Sequence, residues 1–426
     1  MLINLLAFML FVVLWGMFLY YQIKQNNFLF ITILVCFAQQ YIIPQVYYFS
    51  QCAIVNRYFP VTESDYFNMI YCCVIFIIAL FVGQMCVRTQ RFKQCQEFFI
   101  AGSNYDLEKI KIIILTISII AILLQIRNFS QMFNANSLQN RLIENQGNGY
   151  LQFLNVTSYF IVFIGIRQFL SGEISLKFLL AHSIPAFIIY SLKLQRGHAV
   201  YPLFFIFLAY IFTKIKPLKA SLIVGIGIVA MLYVGNLTNI IRTTIIDKTE
   251  YAEARNKVQN VIPASYAHSE LLCAVTADER INDMPNTLWG AIVNWIPRSI
   301  YKNKPKTLGP ILNNLYTPDN LFYRLKGIHR SSYTTDLLIE GFYHMRYAGV
   351  FIFGLVFSII ASLLWRYVTL EKNKKFFFMS FPLALYIIGF TGFFSDMGNW
   401  IGYIVIYYGV YFVIKLFAQT TKKIYG

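Results

Sequence analysis

Long apolar runs, separated by short polar links, account for most of this chain. They extend from Leu2 to Gln22, Phe28 to Phe49, Phe67 to Val87, Ile112 to Ile126, Tyr150 to Leu170, Phe178 to Leu192, Val200 to Phe212 and Ala220 to Ile240. After a long interruption they resume from Tyr347 to Trp365, Phe376 to Phe394 and Trp400 to Phe417. Such runs approach the length that lets a helix cross a bilayer. They predict an all-α polytopic membrane protein with about 11 transmembrane helices. Leu2 to Gln22 has no basic leader and no small-residue cleavage signal after it, so it reads as a span rather than a removable signal peptide. Pro44 is expected to kink the second span.

The interruption, residues 241–346, is too long and too polar to be a connector, and a structureless loop of that size is uncommon, so it is expected to be partly helical. The chain thus divides into a bundle of about eight spans over 1–240, a large loop over 241–346 and a bundle of about three spans over 347–426.

Composition agrees with the pattern. Of 426 residues, 58% are hydrophobic and 13% are charged. The net charge of +17 raises the question of a nucleic-acid partner. The cations lie mostly in short links beside spans, where they set orientation instead, so no nucleic acid is expected. With the amino terminus outside, the inner links and edges hold seventeen lysines and arginines, from Lys24 to Lys423, and the outer ones hold only Arg57, Arg127, Arg141, Lys193 and Arg196. The large loop is therefore expected to be extracytoplasmic and the carboxy terminus cytoplasmic. Nucleoside triphosphates and nucleotide sugars are not available on that side, so a donor there must arrive already activated on lipid.

Seven cysteines with no C-x-x-C pair, and five scattered histidines, predict no structural metal and no cofactor. A disulfide between Cys52 and Cys273 is an option if both face an oxidising side. Within the loop, thirteen cations face ten acids, and Arg298, Lys302, Lys304 and Lys306 cluster with no acid between them. Positive charge at a bilayer surface suits an anionic lipid headgroup, and guanidinium forks match phosphate oxygens. That charge serves equally as a rim against ordinary lipid. Asp336, Glu340 and His344 recur every four residues and would share one helix face as an acid/base stripe, or serve as local partners of nearby charges. Tyr301, Tyr316, Tyr323, Tyr333 and Tyr343 offer rings to stack on sugars, although tyrosine also belongs at membrane interfaces.

Ile296-Pro297-Arg298 followed by Lys304-Pro305, then a helix with Glu340 and Tyr343 leading into Gly349, resembles the Wzy-type oligosaccharide repeat-unit polymerases of O-antigen and capsule synthesis. Arg196-Gly197 looks like the Arg-Gly that these polymerases and the related O-antigen ligases carry in an earlier outer loop. Arg298 and Gly309, like Arg330 and Gly341, are separated by ten residues, similar to the R-x10-G pattern of some members. The resemblance implies a GT-C-like fold in a bacterial inner membrane. It implies glycosyl transfer from one undecaprenyl-diphosphate-linked oligosaccharide to the non-reducing end of another, and the lack of a D-x-D in the insert suggests that arginines replace a metal. A flippase and a chain-length regulator are the further partners it suggests.

On that basis Arg196 and Arg298, supported by Lys304 and Arg330, are assigned to the diphosphate, Glu340 or His344 to the general base, and Tyr333 and Tyr343 to sugar. Glu63 and Asp65 resemble the acidic loop of metal-binding GT-C enzymes or are solvated loop acids. An O-antigen-ligase-like transferase shares nearly every feature. A lipid-linked oligosaccharide flippase or transporter would place charges well inside its spans, and these spans are nearly charge-free.

Overall fold

A computed structural model describes residues 2–25, 27–51, 59–87, 107–134, 151–170, 172–192, 267–293, 296, 300–316, 335–370, 401–402 and 404–410. It also describes isolated helical positions between 202 and 226 and between 412 and 416. The described regular structure is helical throughout. Four of its helices are long and apolar enough to cross a membrane: Leu2–Gln25, Leu29–Val46, Glu63–Cys86 and Leu337–Arg366. Shorter apolar helices cover Lys111–Ile126, Leu154–Ile166 and Leu176–Leu192. The expected spans at 220–240 and 376–394 lie almost wholly outside the described residues, as does most of the one at 200–212.

The chain divides into two compact units. One comprises 1–92, 262–369 and 384–403, and the other 93–261, 370–383 and 404–426. In the first unit, α1 (Leu2–Gln25) turns inward Asn4, Phe8, Phe11, Phe18 and Gln22, a helical repeat, while Leu6, Met9, Leu10, Val13 and Met17 remain exposed. Both faces are apolar because the outer one meets lipid rather than water, so packing and buried polar groups choose the inner one.

α2 (Phe28–Phe37) begins at Asn27, whose side chain accepts a hydrogen bond from the Phe30 amide, and runs into a π-helical turn, Ala38–Ile42, before α3 (Ile43–Gln51). Pro44 has no amide hydrogen and its ring crowds the carbonyl four residues back, at Gln40. The kink expected at this proline takes the form of that wider turn, which swings Gln40 and Tyr41 into the interior. α4 (Glu63–Cys86) starts on a capping box: the Asp65 carboxylate accepts from the Thr62 amide at 2.8 Å, and the Thr62 hydroxyl accepts from the Asp65 amide. Asp65 thus closes a helix end, which corrects the placement of Glu63 and Asp65 in a loop.

Three pairings fix the directions of these helices. Asn4 donates to the Glu63 carbonyl at 3.0 Å, and Gln22 and Gln84 exchange amide hydrogen bonds at 2.5 and 2.8 Å, so α1 and α4 run parallel. Beyond Tyr347, α12 (Leu337–Leu370) is parallel to α4 as well. The Tyr71 and Tyr347 rings meet at 5.1 Å, and further along both helices the Ser358 hydroxyl donates to the Leu80 carbonyl at 2.5 Å. Ala79 and Gly83 on one helix face Gly354 and Ser358 on the other. A Cβ on Gly83 would lie 2.7 Å from the Leu355 carbonyl oxygen, and one on Gly354 2.9 Å from Ala79 Cβ. Small residues four apart on both partners let two backbones approach in a solvent that supplies no hydrophobic drive. The starts of α1 and α4 and the part of α12 that begins at Tyr347 therefore lie toward one end of the unit.

The second unit is built on α5 (Leu107–Asn134), α6 (Leu151–Leu170), α7 (Leu176–Ala181) and α8 (Ile184–Leu192). α5 and α6 pack together with Gln125 donating to Asn155 at 3.3 Å and Lys111 to Gln168 at 3.2 Å. Tyr159 lies against Tyr190 of α8 at 5.1 Å.

Candidate functional site

The long insert does not hang free of the first unit. Its helix α9 (Ala267–Ala277) packs against α4 and against the π turn of the second span, burying His268, Glu270, Leu271, Leu272 and Cys273. Cys273 is a free, buried thiol, so the disulfide to Cys52 is not formed; Cys52 itself lies outside the described residues. Asp278 caps the following 3-10 turn, Glu279–Asp283, and holds Arg280 in a forked pair at 2.9 Å. That pairing raises the Arg280 pKa, and the guanidinium rests 5.5 Å above the Phe59 ring.

The chain then forms the one-turn α10 (Leu288–Ile292), a turn at 302–303 with irregular chain through 307, and α11 (Leu308–Tyr316). Gly290 sits directly on the Pro305–Lys306 backbone, where a Cβ would overlap the Lys306 carbonyl. This close approach walls a cleft of about 480 Å³ lined by Met284, Pro285, Asn286, Pro305, Lys306, Ile311, Asn314 and Leu315.

α12 carries the predicted acid/base stripe, but it is not one straight helix. Met345 and Arg346 leave helical geometry, and Arg346 has φ 54° with ψ −141°. Gly341 and Gly349 touch across this break: a Cβ on Gly341 would fall 2.8 Å from the Gly349 carbonyl oxygen. In a continuous helix residues eight apart are separated by about 12 Å, so the chain reverses here. A short helix, 337–344, ends against the insert, and the membrane-crossing part starts afresh at Tyr347, where the apolar pattern begins.

The short helix distributes its polar residues differently from a shared stripe. Asp336 precedes the first turn, fully buried. One carboxylate oxygen accepts from the Leu338 and Ile339 amides at 3.0 Å each. The other accepts the Tyr41 hydroxyl at 2.5 Å, with His268 Nδ1 3.7 Å away. His268 is also hydrogen-bonded to Gln40. Burial pushes the Asp336 carboxyl up to about 6 from its ordinary 3.8, against the opposing pull of these hydrogen bonds.

Glu340 is 1% exposed. His344 is half-buried, with Nε2 3.1 Å from the Thr287 hydroxyl and its ring between Tyr343 and Phe353. The Tyr343 hydroxyl donates to the carbonyl of Pro285, a wall of the cleft, at 2.7 Å. Arg346 donates to Asn282 and lies 4.9 Å from the Phe342 ring. Lys304 turns back to donate to the Ile296 carbonyl at 2.9 Å.

Of the candidate site residues, Tyr343 and His344 therefore stand beside the cleft, Glu340 is sealed on the helix behind them, and Lys304 braces the segment before Arg298. Arg196, Arg298, Arg330 and Tyr333 lie outside the described residues. Gln40, Tyr41 and His268 belong to no motif. Their one sequence signal is the polar pair Gln39-Gln40 inside an apolar run shortly before Pro44. Among the described residues, no group of three or more His, Cys, Asp or Glu is arranged to hold a metal. No protein-family model, no curated protein and no solved structure matches this chain.

Proposed function

We propose that the chain is a membrane glycosyltransferase of the repeat-unit polymerase kind, joining undecaprenyl-diphosphate-linked oligosaccharides at the outer face of a bacterial inner membrane. The finer architecture belongs to this reading: about eleven spans, a GT-C-like arrangement and an extracytoplasmic insert. The observation that carries it is the placement of the cleft. It is lined by the cation Lys306 and by Pro285, whose carbonyl accepts from Tyr343 just before the break in α12, and His344 is bonded to Thr287 next to it. A lipid-linked substrate needs this position, with its polar part held beside the point where a span meets the membrane surface.

The chemistry divides among the residues as follows. The acceptor hydroxyl oxygen bonds to the anomeric carbon while the bond from that carbon to the diphosphate breaks. The diphosphate leaves with the electron pair, and the hydroxyl proton passes to a base. Arginines and lysines stabilise the leaving anion, and in a site shielded from water each such contact counts for more than it would in solution. Arg196, Arg298 and Arg330 are the proposed diphosphate ligands. Lys304 supports them by bracing Ile296, two residues before Arg298. Between the two candidate bases, His344 is half-buried beside the cleft whereas Glu340 is sealed, which favours His344 as the proton acceptor. Tyr343 and Tyr333 are the proposed sugar platforms.

Deletion of the gene tests the reaction class. Single repeat units remaining on the carrier or at the surface support a polymerase; long chains that persist on the carrier without reaching the surface identify a ligase; loss of repeat units from the outer face identifies a flippase. Arg298→Ala and His344→Ala are expected to abolish chain extension while the protein still accumulates in the membrane. A normal chain ladder from either removes that residue from the site.

A further inference from the structure

Most exposed large apolar residues belong to spans, where lipid covers them. Trp289, Ile292 and Ile300 do not: they belong to the insert and are 57%, 43% and 76% exposed. Trp289 and Ile292 are three apart and share one face of α10, while Gly290 and Ala291 pack inward on the other. Several observations say what covers this face. The residues just before α10 are fastened to the short helix and the break that lead into the membrane-crossing part, by Tyr343 on Pro285, His344 on Thr287 and Arg346 on Asn282. Met345, at the break itself, is 48% exposed, and within the span that follows Ile352, Val356 and Leu363 are exposed as well. Exposed Lys302 and Lys306 follow directly, and no acid occurs between Asn294 and Tyr316. Apolar side chains edged by cations, at the level where a span begins, match the boundary between acyl chains and phosphate headgroups.

We propose that an interfacial anchor is formed by Trp289, Ile292 and Ile300, which insert at the headgroup boundary of the bilayer, and by Lys302 and Lys306, which pair with lipid phosphates. The anchor sets the height of the neighbouring cleft above the membrane. It stands independently of the reaction catalysed, because it rests on exposure, tethering and charge alone.

The experiment uses the full chain reconstituted into vesicles of phosphatidylglycerol and phosphatidylethanolamine, with the Trp289 fluorescence taken as the difference between wild type and Trp289→Phe. Lipids brominated near the headgroup end of the acyl chain are expected to quench it by about half, and those brominated near the terminal methyl much less, while aqueous iodide has little effect. Because Trp289→Phe alone could disturb the fold, Ile300→Trp placed in that background provides a second reporter, expected to behave in the same way. Quenching by iodide, which means an aqueous face, overturns the proposal. So does protection from both quenchers, which means a protein partner covers it.

Discussion

At the scale of single residues, Asp336 joins three parts of the sequence that are far apart. It caps the short helix of α12, accepts the Tyr41 hydroxyl from the π turn and faces His268 of α9. Asp336→Ala is expected to cost about 3 kcal/mol, combining the lost cap with a buried tyrosine hydroxyl left without its acceptor. Asp336→Asn keeps an oxygen for the cap and is expected to cost less. The two also differ in pH behaviour. Burial raises the folded-state pKa to about 6 from 3.8 in the unfolded chain. Between those values the native protein holds a proton that the unfolded chain has released, so this group's contribution to stability falls as the pH rises through the window. The loss amounts to about 3 kcal/mol and is complete above the folded value. Tyr41, His268 and the Cys73 thiol lie around the carboxyl, and all three residues are kept when asparagine is introduced. Denaturation in detergent at about pH 4 and about pH 7 is expected to show wild type losing stability relative to Asp336→Asn as the pH rises. A constant difference between the two proteins would mean that Asp336 stays ionised across the range.

At the scale of elements, the break in α12 depends on two glycines and on one residue forced to positive φ. A Cβ on Gly349 would overlap the Gly341 carbonyl, so Gly349→Ala is expected to cost about 2 kcal/mol and to displace the Tyr343 and His344 side chains from Pro285 and Thr287. Arg346 is strained by its φ of 54°, and glycine relieves that strain. Arg346→Gly is therefore expected to be more stable than Arg346→Ala by about 1 kcal/mol, since both lose the contacts to Asn282 and Phe342 and only one keeps the strain. Thermal midpoints of the two variants in the same detergent check this. The long spans of the first unit are legible in the sequence, because length and apolarity suffice to mark a helix in lipid. The π turn at Ala38–Ile42 is legible only as a kink at Pro44. The four-residue spacing of Asp336, Glu340 and His344 describes the helix correctly and the side chains poorly: Asp336 turns back to cap the first turn, and tertiary contacts divide the other two between the interior and the cleft.

At the scale of the molecule, the sequence separates a greasy bundle from a polar insert, and that division hides the meeting of Gln40, Tyr41, His268 and Asp336, because periodicity relates neighbours and cannot pair residues hundreds of positions apart. The packing also supplies a constraint on topology that is independent of charge. α1, α4 and the crossing part of α12 run parallel, so Glu63, at the head of α4, and the insert segment tethered to the head of α12 belong to one side of the membrane. On the proposed orientation, which rests on seventeen cations against five, that side is the exterior. The two arguments are tested together by Glu63→Cys and Lys302→Cys, both at exposed positions. With a membrane-impermeant thiol reagent on intact cells, both variants are expected to label above the wild-type background without permeabilisation. Labelling of both only after permeabilisation would keep the parallel packing and reverse the orientation, which would also remove the lipid-linked donor from reach. Labelling from opposite sides would contradict the parallel helices themselves, since no tilt of a bilayer-spanning unit carries two points on one end of it to different compartments.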